Sequence, residues 1–567
     1  MAYEIKQSMC SCCHRCRVLC PQDAITFKNA KYWIDPDLCV ECGLCAENCH
    51  NCAISLPGEP AETVAPHAPK EYTADVVVCG AGGSGLLAAV RLAQAGKQVI
   101  VLEKSKNPGG NTWYASGFHG HYTKAQAEAG EPDCREADYQ ELMEKTDNVL
   151  DPGLAKGAIY ASGYMTDWLI ESCDCAEDFH LGPTPFGGMG MMFENKTGTK
   201  YERIDASIGP GGMGSFVIEK LLGQCKKLNL PVLTKHEARE ILLDAEGKAC
   251  GIRANDGGGD VIVKAPSVII ATGCYSHNPE YLAKANPEIP NCPEPIHYFS
   301  VPTCTGDGIT MCEKVGAFID WKNAKAMILG PAHHPYSFAA VCITREPEVV
   351  LINRDGKRWA SEVDNTMGLR FEILKQPGRM CWGIYDQATL DAVAARLTSG
   401  AGPHSDGEHA AIIARYQSEI DAEAKMDIPV KKADTLEELA VLMGVPVDTF
   451  VSEMKKYNDM CHAGEDTAFG KPAQFMKAME QGPYYAFYEK LFQENASGGI
   501  KVGDGTRVLT AEGKVIPGLY AVGDTSTGLM LGSGEISDYL ERVMSMFTWA
   551  LTSGYMAADA VMADTAC

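Results

Sequence analysis

An α/β fold is the class this 567-residue sequence predicts, with a parallel sheet at its centre and a small cysteine-rich module ahead of it. Three observations predict it. The apolar, strand-length run at 75–79 leads through Gly80-Ala-Gly82-Gly-Ser-Gly85 into a helical stretch, and a second apolar run ends at Glu103. Ten of the 24 cysteines fall within the first 52 residues. The length itself exceeds one ordinary domain and calls for two or three compact units.

Bulk composition narrows the partners. Apolar residues at 46% and charged residues at 22% are ordinary for a globular chain. A net charge of −24 argues against nucleic acid or an anionic membrane surface, and suits a partner that docks through a basic patch. The start, MAYEIKQSMC, has neither the apolar core of a signal peptide nor a twin arginine. No run of about 18 apolar residues occurs, so no membrane insertion is expected and the expected location is cytoplasmic.

The first element is the cysteine module, residues 1–58. Cys10, Cys13, Cys16 and Cys20 follow C-x2-C-x2-C-x3-C with Pro21 next; Cys39, Cys42, Cys45 and Cys49 repeat the spacing, with His50 in place of a second proline. Such spacing lets three thiolates on one loop hold three corners of a cubane, while the fourth ligand comes from elsewhere. A disulfide framework would need an oxidising compartment. Zinc is the other alternative, but eight thiolates in this doubled order are atypical of zinc sites. Cys12, Cys52, His14 and His50 read as neighbours of the ligands. The stretch resembles bacterial two-cluster ferredoxins, a small α+β fold. That resemblance implies one [4Fe–4S] cluster on Cys10, Cys13, Cys16 and Cys49, and a second on Cys39, Cys42, Cys45 and Cys20. Residues 59–73, punctuated by Pro60, Pro66 and Pro69, read as an extended linker that holds the clusters near the next domain.

The second element is the strand–glycine–helix–strand unit. Gly80 permits the tight turn, Gly82 lets the backbone approach a pyrophosphate, and Gly85 lets helix and strand pack closely. Glu103 stands 23 residues after Gly80, where a carboxylate grips ribose hydroxyls. Further motifs follow at Gly109–Gly117, Ala271-Thr-Gly273, Thr305-Gly-Asp-Gly308 and Pro517–Asp524. At these motifs, and over roughly 74–560, the chain resembles the flavoproteins of the fumarate reductase, urocanate reductase and 3-ketosteroid dehydrogenase superfamily. The resemblance implies a Rossmann-like FAD-binding domain in two parts, 74–325 and 496–567, interrupted by an α+β capping domain at 326–495. It further implies that Gly80, Gly82, Gly85 and Glu103 bind the ADP half of FAD, and that Asn111, Thr112, Ser116 and Gly117 lie along the isoalloxazine. Asp307 and Asp524 would contact the cofactor, the latter at the ribityl chain. Some relatives attach FAD covalently through a histidine at the position of Asn111; asparagine cannot form that bond, so a non-covalent FAD is expected.

The pattern departs from the family where fumarate is held. The clamp and proton-donor positions align with Met327, Thr366, Asn495 and Met530, which cannot bind a dianion or replace arginine's bidentate fork. A neutral, largely apolar small-molecule substrate, aromatic or polycyclic, is therefore expected. The methionine-rich stretch 186–193 reads either as an adaptable lining of that pocket or as an ordinary loop with core methionines. His119 and His121 follow the loop implied to face the flavin and are candidate proton donors; Arg370 is an alternative, and Tyr336 and Tyr539 are weaker ones.

No second GxGxxG unit for a nicotinamide is present, so the expected donor is a one-electron protein such as a ferredoxin or flavodoxin. Clusters carry single electrons and a flavin handles one or two, so the pairing suits reduction of an activated C=C bond in an anaerobic cytoplasm. Alternatives are reductive cleavage of a benzylic or allylic C–O bond, a dehydrogenase running in reverse, and an electron-transfer subunit without its own small-molecule substrate.

Overall fold

In the computed structural model the described residues are all but 1, 8, 11–14, 29–30, 59–63, 116, 119, 147–149, 184–188, 194–212, 288–296, 299, 333–342, 345, 365–368, 370–371, 399–415, 426–429, 530–542 and 567. The chain divides into two compact units, one of residues 1–58, 288–299 and 328–494, the other of 59–287, 300–327 and 495–567.

The second unit is built on a six-stranded sheet. Its order is Val232–Thr234, Val99–Glu103, Val76–Cys79, Ser267–Ile270, Val515–Ala521 and Arg507–Leu509. The first five run parallel and the last pairs antiparallel. Val76–Cys79 is buried at every position, as a central strand covered on both faces must be. Helices Gly83–Gln94, Met213–Lys227 and Met546–Asp564 supply the apolar core with Leu86, Leu87, Phe216, Leu221, Leu551 and Val561. A second sheet of four strands carries Glu237–Leu243, Ala249–Asn255, Asp260–Lys264 and Lys70–Thr73.

Its last strand departs from the sequence reading. Residues 70–73, expected to close an extended linker, pair in parallel with Val261–Lys264. The segment is pinned by Asp256, whose carboxylate accepts from Lys70 Nζ at 2.7 Å and lies 2.8 Å from His67 Nε2. Proline density at 60–69 describes only the approach to this strand.

The first unit holds a mixed sheet around the long strand Tyr484–Ser497, which continues into the second unit. Met380–Asp386 and Val430–Ala433 pair with it antiparallel, and Val350–Ile352 extends the sheet. The same unit contains the cysteine module, whose halves repeat at an offset of 29 residues. Helix Arg15–Val18 corresponds to Leu44–Glu47, and the strand pair Ile25–Lys28 with Lys31–Ile34 corresponds to Ile54–Ser55 with Glu4–Ile5. The small core repeats too: Ile25 with Ile54, Tyr3 with Tyr32, Ile5 with Ile34, Cys16 with Cys45. Among the described residues no helix is long and apolar enough to cross a membrane.

Candidate functional site

The glycine turn after Val76–Cys79 is where the second unit opens. Gly80 has φ +113°, and a Cβ there would lie 2.2 Å from the Ala271 carbonyl oxygen. A Cβ on Gly85 would lie 2.1 Å from the Gly80 carbonyl oxygen, so its absence lets the helix close onto the turn. Gly82 is different. A Cβ there would meet nothing nearer than the Gly109 carbonyl oxygen at 3.8 Å, so its bareness leaves room outside the chain. Gly82 and Gly109 form a parallel bridge, which brings the second glycine turn alongside the first. Helix Gly83–Gln94 starts without a side-chain cap; its Gly83 amide donates to Thr112 Oγ1 at 3.2 Å. An uncapped helix start is a natural anion site.

These turns line a cleft of about 730 Å³ with Glu103, Lys104, Asn111, Thr112, Thr272, Asp307 and Asp524. The lining fits a dinucleotide. Bare glycine backbone and an uncapped helix end face a pyrophosphate's chemistry, and a carboxylate at a strand end suits ribose hydroxyls.

Glu103 Oε2 accepts from the Ala81 amide at 2.8 Å and Oε1 from the Ser105 amide at 2.7 Å. Burial pushes its carboxyl up against the pull of those amides. Each oxygen keeps further lone-pair capacity for a hydroxyl. Asp307 is held by Lys104 Nζ at 2.6 Å and by the Thr305 hydroxyl at 2.7 Å. Lys104 also donates to Thr305 Oγ1 at 2.7 Å. Lys104 escaped the sequence reading, although its place directly after Glu103 was the signal. Asn111 accepts from the Val301 amide at 2.8 Å and directs Nδ2 to Cys274 Sγ at 3.5 Å. Asp524 sits in the turn Gly523–Thr525.

The proton-donor candidates divide. His121 Nδ1 lies 3.1 Å from Asp138 Oδ2 and Nε2 lies 2.8 Å from the Val543 carbonyl oxygen. Its ring is therefore occupied in packing the 121–123 turn. Phe118 anchors the preceding residues, with its ring 5.4 Å from that of Phe547. Gly117 is described, but Ser116, His119, Tyr336, Thr366, Arg370, Met530 and Tyr539 lie outside the described residues, and Met327 and Asn495 are described in backbone only. Of the stretch 186–193, residues 186–188 lie outside the described residues; Met189–Phe193 pairs with Phe179–Pro183 as a hairpin, and Met191 packs against the apolar core.

In the first unit a smaller cavity of about 340 Å³ is lined by Cys20, Cys39, Cys42 and Cys45 together with Tyr3, Ile25 and Ile34. Cys20 Sγ accepts from the Ala24 amide at 3.3 Å, and Cys49 Sγ from the Ala53 amide at 3.2 Å, the same contact in each half of the repeat. Burial pushes the Cys45 thiol up to about 11, and neighbouring Cys39 and Cys42 push it further the same way. Cys13 lies outside the described residues. Among the described residues no group of three or more histidine, cysteine or carboxylate side chains is placed to hold a metal ion.

A buried charge network in the first unit was also missed. Arg358 donates to Glu362 at 2.8 and 2.7 Å and pairs with Asp466 at 2.8 Å. Lys471 lies 3.4 Å from Glu362 and donates to the Val349 carbonyl oxygen at 2.8 Å. Two cations and two carboxylates balance there.

Comparison with known proteins agrees with the cleft. A family described as FAD binding domain matches residues 75–535. A fumarate reductase (cytochrome) of Shewanella frigidimarina is 28% identical over 478 residues, covering 82% of this chain and 75% of that protein. A vinyl phenol reductase of Lactiplantibacillus plantarum is 27% identical over 498 residues, covering 81% and 91%. The open conformation of a flavocytochrome c3 fumarate reductase shares the fold, with a TM-score of 0.65 at 23% identity over 87% of this chain and 78% of that one. With a glycine cradle, a carboxylate at the strand end and a matching family over most of its length, this chain belongs to the FAD binding domain family and is a flavin-dependent oxidoreductase.

Proposed function

We propose that the chain is an anaerobic reductase in which two [4Fe–4S] clusters on the N-terminal module feed FAD, and FAD reduces an activated C=C bond of a neutral, largely apolar substrate. The observation that carries the proposal is the cavity lined by Cys20, Cys39, Cys42 and Cys45, in the same chain as the dinucleotide cleft. Those four thiols are the set that the ferredoxin resemblance assigns to one cluster. A tetrahedral zinc with ~2.3 Å bonds gathers its sulfurs tightly around one point. Four cysteines lining one cavity suit a polynuclear guest, and the Ala24 amide on Cys20 Sγ supplies an N–H···S bond of the kind that tunes one.

FAD, when bound, supplies a centre that exchanges electrons singly with clusters and in pairs with a carbon substrate. The chain's residues do the rest. The glycine turns and the start of helix Gly83–Gln94 would hold the pyrophosphate, and Glu103 would accept from a ribose. Lys104 offsets the charge of Asp307, so the cleft accepts an anionic cofactor at lower electrostatic cost. Asn111, held on both sides of its amide, presents a fixed edge. His119 is the proposed proton donor, because the ring nitrogens of its neighbour His121 are already taken by Asp138 and Val543.

The substrate reading rests on methionine, threonine and asparagine at the four positions where a dicarboxylate clamp is expected. The vinyl phenol reductase relative bears on it, since a vinyl phenol is neutral and carries a C=C bond. The test is anaerobic purification with assay of iron, sulfide and flavin, followed by dithionite reduction and reoxidation with vinyl arenes, enones, aryl ethers and fumarate. About eight irons per chain are expected, with roughly half lost in Cys20→Ala, and reoxidation by the neutral alkenes but not by fumarate. Zinc in place of iron, or clusters that never exchange electrons with the flavin, would sink the proposal.

A further inference from the structure

Two thiols stand on either side of the Asn111 amide, and neither belongs to the cysteine module. Cys274 and Cys304 are buried, Cys304 to 4% exposure and Cys274 to zero. Cys274 Sγ accepts from Asn111 Nδ2 at 3.5 Å, and Cys304 Sγ lies 3.6 Å from Asn111 Oδ1 as a donor. Both sulfurs thus meet the same side-chain amide. The segments that carry them are laced together: the His277 amide donates to the Cys304 carbonyl at 2.9 Å and the Gly306 amide to the Cys274 carbonyl at 3.2 Å. Cys304 lines the cleft itself.

A chain of hydroxyls leads away from the pair. Cys274 Sγ lies 3.1 Å from Ser276 Oγ, which lies 2.5 Å from Ser300 Oγ, and both serines are buried.

We propose that Cys274 and Cys304 are a redox-active dithiol that exchanges an electron pair with the flavin in the cleft. The step rests on FAD occupying that cleft. The two S–H bonds break and one S–S bond forms. Both electrons and one proton pass to the oxidised isoalloxazine, which is reduced, and the second proton leaves through Ser276 and Ser300. The step requires the two sulfurs, both held at the Asn111 amide, to close to the S–S length of about 2 Å. The asymmetry of the pair suits the direction. Burial raises the Cys274 thiol, but hydrogen bonds from Cys304 and Ser276 outweigh it and the net direction is down. Cys304 is pushed well up by its hydrogen bond to Cys274 and by burial. Closing the bond also removes the S–H donor from Asn111 Oδ1, so the oxidised pair alters the cleft at the residue that lies along its wall.

The holoenzyme tests this directly. Oxidised and dithionite-reduced samples are denatured in iodoacetamide and mapped by peptide mass spectrometry, while stepwise anaerobic reduction counts electrons per flavin in wild type and Cys304→Ser. Expected are a Cys274–Cys304 linked peptide in the oxidised sample only, and two fewer electrons per flavin in the variant. Full alkylation of both cysteines in the oxidised, flavin-loaded wild type overturns the proposal without recourse to any variant, and so does an equal electron count. A linked peptide in protein that shows no flavin absorbance would instead remove the flavin as the acceptor, a failure of the cofactor reading that the absorbance identifies separately.

Discussion

Glu489 is inside the long strand Tyr484–Ser497 with both carboxylate oxygens buried and unpartnered among the described residues. Gly383 makes room for it: a Cβ there would lie 2.1 Å from Oε1. Burial, aided by the charge of Glu362, pushes its carboxyl well up. The neighbouring Arg358, Lys471, Glu362 and Asp466 already balance, so a neutral Glu489 completes an interior without net charge. The pH dependence has a definite sign. The folded state keeps a proton that the unfolded chain releases above roughly pH 4.3, so stability falls as pH rises from there toward the folded value. Each pH unit in that window costs up to about 1.4 kcal/mol. Glu489→Gln, which is neutral at every pH, is expected to flatten the slope and to be the more stable protein at pH 8. Denaturant midpoints at pH 6 and pH 8 measure this; parallel slopes for the two proteins would contradict it.

Within one turn, the glycines at 80, 82 and 85 perform separable tasks. Gly85 faces the Gly80 carbonyl and has no room for a methyl, whereas Gly82 faces the cleft. Gly85→Ala is therefore expected to lose several kcal/mol of stability through backbone displacement. Gly82→Ala is expected to fold with an unchanged melting temperature and bind FAD at least about tenfold more weakly, because its methyl intrudes where the pyrophosphate must approach. Melting curves and flavin titration of the apoprotein separate the two. Equal flavin affinity in Gly82→Ala would remove the cradle reading. The cysteine module shows the complementary lesson: its 29-residue repeat extends beyond the cysteines to strands and core, so each half supplies the other's missing partner.

On the scale of the molecule, one chain joins a dinucleotide cleft and a cysteine cavity in two compact units. The cleft is expected to release its cofactor intact. Asn111 is a neutral amide engaged by Val301 and Cys274, and it offers no nucleophile to a flavin. Acid precipitation of the holoenzyme should leave all yellow absorbance in the supernatant as FAD. Flavin retained on the pellet would show a covalent bond and overturn the expectation. The net charge of −24 belongs to this scale as well, since it acts through the field of the whole surface rather than through any one contact.

The sequence by itself determined the local devices of this protein. The glycine turn and the acid at the end of the second strand lie within about thirty residues and the doubled cysteine spacing within about forty, so each is legible as spacing along a chain of known geometry. Tertiary structure alone decided the rest: that Lys104 meets Asp307, that Cys274 meets Cys304 across Asn111, that Arg358 meets Asp466, and that residues 70–73 join a sheet rather than hang as a spacer. Such pairs are made by the order of strands and the depth of burial, and neither is written in a local period. A lone lysine, cysteine or glutamate in the sequence carries the same letters whether solvated or buried; only packing assigns its partner and, through desolvation, its charge.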